Sequence, residues 1–564
     1  MRWMLVAIFV VSLWIVGQGC LRGRDCRVDD DCLAGQICRQ GFCLDRSSLR
    51  ATGAVCRDKF DCLSGVCAQG LCASLVQPTE SLPEQEPVAD SAKPDLQRED
   101  ASTAEESSQE TVGEIIPEQA DTCDLSGCVT WTTTGGGLSR DSISDLTVDK
   151  EGNIYITGQM AGSIKFGSVL AEAWAQKDAY VAKFDAQGNV LWAYRFGGTL
   201  DDKGAAITVD SRGYVTIAGE FRGTIGTNPR NLVSHGSDQE DIFIAHFSPK
   251  GSLEWAHAIT GPGADGSRAL AVDSKNNIYL VGAFYYTSSF QGANLRADHN
   301  YSAFVTKIAP NGSFQWTRQT QGIDFELAEA ITIDSQDNIT IAGTFQGGAT
   351  FGTTSLKSKG SGDFFVARLD TEGNWLWARN HGGPGGEKLT DLVTDAKGDL
   401  YAAVNCAHNS ILGSTTLELP VGNYACVVKL DSAGKILWVK HSKEPTLAAY
   451  LKLAVDAQNN VYFSGSNDGP LAFGEHSVPL TPKNTDGFVA ALSADGTWQW
   501  VHGLVGKNVD VFTNLAVGKD NSLIVTGIYS DQAIFQWFSG RQSSEPLSSL
   551  GDWDVFLLAL QLAK

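Results

Sequence analysis

The sequence predicts an all-β protein whose main body is a seven-bladed β-propeller of four-stranded blades, closed by an N-terminal strand. Three observations carry that expectation. First, residue series recur in one register: Trp131, Trp192, Trp255, Trp316, Trp377, Trp438 and Trp500 stand 61, 63, 61, 61, 61 and 62 residues apart. Asp149, Asp210, Asp273, Asp334, Asp395, Asp456 and Gly518 keep the same spacings, as do Gly158, Gly219, Gly282, Gly343, Val404, Gly465 and Gly527. An aromatic series follows them: Tyr180, Phe243, Phe304, Phe365, Phe488 and Phe556, broken by Cys426. Second, each period holds four short β-branched or aromatic runs, such as "DLTVD", "NIYITG", "AYVAKFD" and "VLWAYRF", separated by turn residues and without helical periodicity. Third, the last period stops at Lys564 without its Trp strand, whereas "GCVTWTTT", residues 127–134, precedes the first complete period. That displaced strand is expected to be the fourth of the seventh blade, so that the ring closes without two open edges.

The elements follow in order. Arg2 and the apolar run "WMLVAIFVVSLWIV" leading to "GQGC" read as an export signal over residues 1–20. The segment resembles a bacterial lipoprotein signal, which implies a lipidated Cys20 and a membrane partner through that anchor. Gly19 fits the pattern, whereas Gly17 and Gln18 depart from it. Of 13 cysteines, 12 remain after Cys20, an even number suited to disulfides in an exported chain. Residues 21–72 hold two four-Cys mini-modules: Cys26, Cys32, Cys38 and Cys43, then Cys56, Cys62, Cys67 and Cys72. A zinc site is the competing reading, but it needs reduced thiolates and usually a C-x2-C spacing, absent here. Modules this small need their bridges to stay ordered, and four cysteines leave three pairings open.

Residues 73–122 carry 13 acidic against 2 basic side chains and no aromatic, which predicts a disordered acidic linker. The propeller is expected over 123–564, with Cys123 and Cys128 bridging the turn before the displaced strand. In the fifth blade, Cys406 and Cys426 stand on neighbouring strands and are expected to form a disulfide. A metal or redox pair with His408 is the alternative.

The repeat resembles the bacterial seven-bladed propeller repeat family, whose units read roughly "A-V-D-x-x-G-N-x-Y-V-x-G … D-x-F-V-x-K-x-D-x-x-G-x-x-x-W". "ITVDSRGYVTIAG" with "DIFIAHFSPKGSLEW" and "ITIDSQDNITIAG" with "DFFVARLDTEGNWLW" carry the likeness. It implies the fold and assigns no activity.

A residue needed by every blade is structural by default, so the tryptophans are expected between blades and each Asp on its following turn. Function is expected where blades depart from the repeat. Acids recur in the loops entering successive blades: Asp141, Asp201 and Asp202, Asp265, Asp324 and Glu326, Glu387, Glu444 and Asp510. They are candidates for a loop-face ring that binds a cation or basic partner, against the plainer reading of a solvated surface. Aromatics at 284–286 and 535–538 are candidates for sugar stacking or for buried packing. His257, His441 and His502, just after blade tryptophans, are expected on exposed outer strands.

No nucleophile elbow, H-E-x-x-H or phosphate-cradling loop occurs, so no catalytic residue is assigned. The "D-x-x-G-x-x-x-W" pattern resembles the tryptophan-docking motif of quinoprotein propellers, without a cofactor pocket to match. The formal charge of −22 excludes a basic nucleic-acid binder. No cofactor is expected beyond a possible divalent cation, and a metal site remains open. The expectation is an exported monomer of the cell envelope, at the outer membrane or cell surface, whose propeller is a non-enzymatic platform for a protein, glycan or cation. A propeller hydrolase, a quinoprotein-like oxidoreductase and a purely structural envelope protein are the alternatives.

Overall fold

The computed structural model describes residues 128–562, apart from 228–230, 237–238, 447–448, 481–483, 537–545 and 550–551, together with four short strands nearer the N-terminus. The chain divides at Ile115 into two units. In the first, Gln36–Arg39 pairs with Phe42–Asp45 and Cys67–Ala68 pairs with Leu71–Cys72, both antiparallel. Cys38 stands opposite Cys43, and Cys67 opposite Cys72, so the last two cysteines of each cluster share a backbone register. The expectations for Cys20, Cys26, Cys32, Cys56, Cys62, the acidic linker and Cys123 lie outside the described residues.

The second unit is all-β and propeller-like. Its described strands form seven antiparallel four-strand sets, one per repeat. Repeat 5 is representative: Glu387–Thr394, Leu400–Ala407, Asn423–Leu430 and Ile436–His441 pair in that order. First strands of successive repeats abut one another in cyclic order, and Val511–Val517 of repeat 7 meets Ser142–Val148 of repeat 1, so the first strands line a centre. Apolar side chains fill the space between neighbouring sheets; Ala342, Phe364 and Val366 of repeat 4, for example, pack against Leu389, Leu400 and Tyr424 of repeat 5.

Each series has its own physical cause. In the "D-x-x-G-N" turns, Asp149 Oδ1 accepts from the Glu151 and Asn153 amides (3.0 and 2.8 Å), and Oδ2 accepts from Tyr155 Oη (2.9 Å). Asp273 and Asp456 repeat the pattern. The tryptophans reach the next repeat: Trp255 Nε1 donates to Pro310 O (3.0 Å) and Trp316 Nε1 to Thr371 O (3.0 Å). Gly373 closes that latter turn at φ +79°, where a Cβ would lie 2.8 Å from the Trp316 ring, so the position needs glycine twice over. The glycine and aromatic series are cross-strand partners, Gly219 with Phe243 and Gly527 with Phe556, the ring covering the site its partner leaves bare. Repeat 5 exchanges this pair for Val404 opposite Cys426, moving volume from one strand to the other. Cys426 is bonded to Cys406 with Cα atoms 6.1 Å apart, so neither thiol is free to act with His408.

Cys128–Gly136 pairs antiparallel with Asp554–Gln561, Trp131 opposite Ala559, and supplies the fourth strand of repeat 7. At this seam Asn514 Nδ2 donates to Asp145 Oδ1 (2.9 Å), while the Ile207 amide donates to Asp145 Oδ2 (2.9 Å), tying repeats 7, 1 and 2 together. Two expectations need correction. His502 is buried, stacked 4.6 Å from Trp500, because Gln532–Gln536 from repeat 7 crosses over and covers the edge of repeat 6. His257 and His441 are likewise half-buried, His257 beside Trp255, where burial lowers its pKa. Of the aromatics, Phe284 and Phe535 are core residues, whereas Tyr286 is 53% exposed.

Candidate functional site

The loop acids form inter-repeat staples, not an exposed ring. Asp141, Asp202, Asp265, Glu326, Glu387 and Asp510 are buried, and Asp201, Asp324 and Glu444 half-buried. The staple has a main-chain part: the amides of Asp141, Asp202, Asp265, Glu387 and Asp510 donate to Trp553, Lys177, Glu240, Gly362 and Thr485 carbonyls at 2.9 to 3.0 Å. Each acceptor immediately precedes a second buried acid on a third strand: Asp554, Asp241, Asp363 and Asp486 begin theirs, and Asp178 lies within Val169–Phe184. The loop carboxyl then bonds the end of its own second strand, Asp202 Oδ1 accepting from Arg222 N (3.1 Å) and Asp510 Oδ1 from Ser530 N (3.1 Å).

Two carboxyl groups thus meet at five of the seven junctions. The glycine after the Trp strand leaves them room; a Cβ at Gly382 would collide with the Asp363 and Glu387 carboxyls at once. Burial pushes Asp141, Asp202, Asp265 and Asp510 up to about 7, and the neighbouring acid of each pair adds to the rise. Glu387 is raised by burial, with Asp363 contributing. Like charges taken out of water cannot both ionise cheaply, so such a pair holds a proton. These acids therefore join the sheets, and among the described residues no group of three or more His, Cys, Asp or Glu is arranged to hold a metal ion.

The central wall carries a second set that sequence reasoning did not single out. Asp391 and Lys452 stand on the first strands of repeats 5 and 6, with Asp145 on that of repeat 1. Burial pulls the Lys452 ammonium down, but Asp391, Asp145 and Glu329 outweigh it and hold its pKa above the ordinary range. Asp391 Oδ2 accepts from Leu453 N (2.8 Å), so this arc too serves to join repeats.

The junction between repeats 5 and 6 breaks the pattern. Tyr424 stands where five other repeats carry an acid and repeat 3 carries Ser302, and Thr446 N donates to Asn423 O (2.7 Å), taking the register place of the loop acid. Glu444, expected in that role, instead accepts from Ala472 N (2.8 Å) in repeat 6. A cavity of about 560 Å³ lies between repeats 4 and 5 and reaches Asn423 and Thr446 of this junction. Repeat 4 contributes Phe325, Leu327 and Glu329 from one side and Ser361 and Gly362 from another. Repeat 5 contributes Gly386, Glu387, Lys388, Asn405 and Asn423, and Thr446 closes the far end.

The polar groups of this groove divide into committed and uncommitted. Glu387 Oε1 accepts from Ser410 Oγ and its Oε2 from Gly383 N (3.1 Å). Glu329 is held by Arg268 Nε at 3.4 Å. Thr446 is 4% exposed, yet its Oγ1 has no hydrogen-bond partner, and neither has the buried Asn405 Oδ1. Lys388, the cross-strand partner of Asn405, is exposed and makes no ion pair among the described residues. Other buried polar atoms among the described residues also lack a hydrogen-bond partner, Asp141 Oδ2, Asp363 Oδ1 and Asp510 Oδ2 of the staples among them. Thr446 and Asn405 are the two such residues that line this cavity, where an incoming ligand can supply the missing donors and acceptors.

Comparison with known proteins agrees with the repeat. Residues 131–159 match the SBBP family, a beta-propeller repeat, in a stretch that includes Trp131, Asp149 and Gly158. The uncharacterized WD repeat-containing protein L264 of Acanthamoeba polyphaga mimivirus is 19% identical over 529 residues, covering 76% of this chain and 38% of its own length. The regulatory protein FlaEY of Caulobacter vibrioides is 22% identical over 323 residues, covering 52% of this chain and 33% of its own. The matches thus cover only about a third of either relative's length. Among solved structures, the beta-propeller domain of Myceliophteria thermophila Cps50 (Swd1) aligns with TM-score 0.38 and 8% identity, over 78% of this chain and 100% of that one.

Proposed function

We propose that this chain, which carries the SBBP beta-propeller repeat, is an exported cell-surface protein whose seven-bladed propeller is a non-enzymatic binding platform. In this reading Cys20 is the lipidated anchor, the two cysteine modules and the acidic linker hold the propeller away from the membrane, and the groove beside repeat 5 is the binding site. One observation carries the binding role: a cavity between repeats 4 and 5 reaches Asn423 and Thr446 of the junction that lacks its acid pair, and two of its lining residues, Asn405 and Thr446, each have a buried polar atom without a hydrogen-bond partner. The buried acids favour a joining role over catalysis, because the loop acids accept from backbone amides and are shut away from solvent between the sheets.

A thermal-shift screen of the full chain against divalent cations, peptides, saccharides and quinone cofactors tests this. A ligand at 100 times its dissociation constant adds about 2.7 kcal/mol to stability. A shift that disappears in Thr446→Val supports a platform with its site in the groove. Turnover of any compound, or silence across every class, would sink the reading. Mass spectrometry of the membrane-extracted protein tests the anchor, and an unmodified Cys20 would remove it.

A further inference from the structure

Resting on that platform reading, we infer that the groove beside repeat 5 takes a neutral saccharide, whose hydroxyls bond Asn405 Oδ1, Thr446 Oγ1 and the Lys388 ammonium. The three groups differ in what they can bond. Asn405 Oδ1 can only accept, Lys388 can only donate, and a threonine hydroxyl does both. A ligand that answers all three within one cavity must present several groups able to donate and accept, which is the property of a polyol. The cavity volume falls within the range of sites that enclose small organic ligands.

The walls support the same occupant. Gly362 and Gly386 form a parallel bridge and put no side chain into the groove, leaving a bare surface for a flat ring. Phe325 and Leu327, both half-buried, offer an apolar flank to the C–H face that a pyranose carries alongside its hydroxyls.

Other ligand classes meet specific obstacles. A peptide adding as a strand needs free main-chain groups, but Ser361 N donates to Gly385 O (3.2 Å) and Glu387 N to Gly362 O (2.9 Å), so this backbone is already paired. A metal ion needs several free carboxylate oxygens, and Glu387 and Glu329 are already engaged. An acidic saccharide could use Lys388, but it would approach the two glutamates of the groove itself.

Isothermal titration of the full chain with maltohexaose, cellohexaose, mannohexaose and xylohexaose, and with hexagalacturonate as the acidic arm, tests the inference. At least one neutral oligosaccharide should bind. Thr446→Val and Asn405→Leu should each weaken it by about tenfold or more, since each leaves a ligand hydroxyl unpaired. Tyr286→Gly, outside the groove, should leave it unchanged. Thr446→Val keeps the side-chain shape, so loss of binding in a variant with an intact unfolding transition is not a folding defect. Binding of hexagalacturonate alone, binding indifferent to both groove variants, or no binding by any of the five would overturn the inference. If a peptide or cation instead gives a thermal shift that depends on Thr446, the saccharide falls and the platform stands.

Discussion

Replacing Thr446 by valine should make the protein more stable. Its hydroxyl is buried, 4% of the residue being exposed, and Oγ1 has no partner, whereas its amide is committed to Asn423 O at 2.7 Å and is untouched by the change. A buried hydroxyl without a partner costs about 1–3 kcal/mol of desolvation, and valine fills the same shape without that penalty. A gain of about 1 kcal/mol is expected, read as a shift of the urea midpoint with unchanged slope. Thr157→Val is the control, because Thr157 is also buried but its Oγ1 donates to Tyr180 O at 2.7 Å. Removing that bond should destabilise by about 1 kcal/mol. If Thr446→Val destabilises as much as Thr157→Val, the hydroxyl is bonded in solution and the groove is not an unfilled site.

The other predictions concern the frame. Asp141, Asp202, Asp265 and Asp510 have folded pKa values near 7, above those of an unfolded chain, so the native state binds the extra protons. That stability is fully present below about pH 4 and is lost as pH rises through 7, so the melting temperature should be higher at pH 5.5 than at pH 8. Asp510→Asn mimics the protonated pair and should raise stability at pH 8 but not at pH 5; an equal effect at both would refute the shared proton. Deleting Cys128–Gly136 from the full chain should lower the unfolding midpoint sharply, because Asp554–Gln561 would lose its partner strand. An unchanged midpoint would sink the closure. Tyr286 sits at φ +64°, where the equivalent positions of repeats 1, 2 and 4 hold Gly162, Gly223 and Gly347. Relief of about 1–2 kcal/mol of left-handed strain should offset the entropy glycine adds to the unfolded chain, leaving Tyr286→Gly as stable as the parent or more so. A clear loss in thermal melting would show that the ring earns its place by packing.

What the sequence made legible was whatever recurs. The turn aspartates, the inter-repeat tryptophans and the glycine–aromatic pairs announce themselves by spacing, and their roles follow because a feature of every repeat serves every repeat. The displaced strand was legible because one repeat lacked it. The loop acids were legible as positions but not as buried groups, since burial depends on Asp178, Asp241, Asp363 and Asp486, each 24 residues earlier, and on Asp554 near the other end of the sequence, all of which meet them only across a junction. The groove was the least visible part. Thr446 belongs to no series, and Glu444, two residues away, offered the more obvious match to the acids of the other loops. Only the register of Thr446 with Asn423 shows which residue occupies the staple position and leaves its side chain unpartnered.

The most direct test of the groove as a binding site is a crystal structure of the full chain grown with the neutral oligosaccharide that binds it best. A sugar should lie over Gly362 and Gly386, with hydroxyls on Asn405 Oδ1, Thr446 Oγ1 and Lys388 Nζ. A sugar bound elsewhere on the propeller, with the groove holding only ordered water, would contradict that assignment.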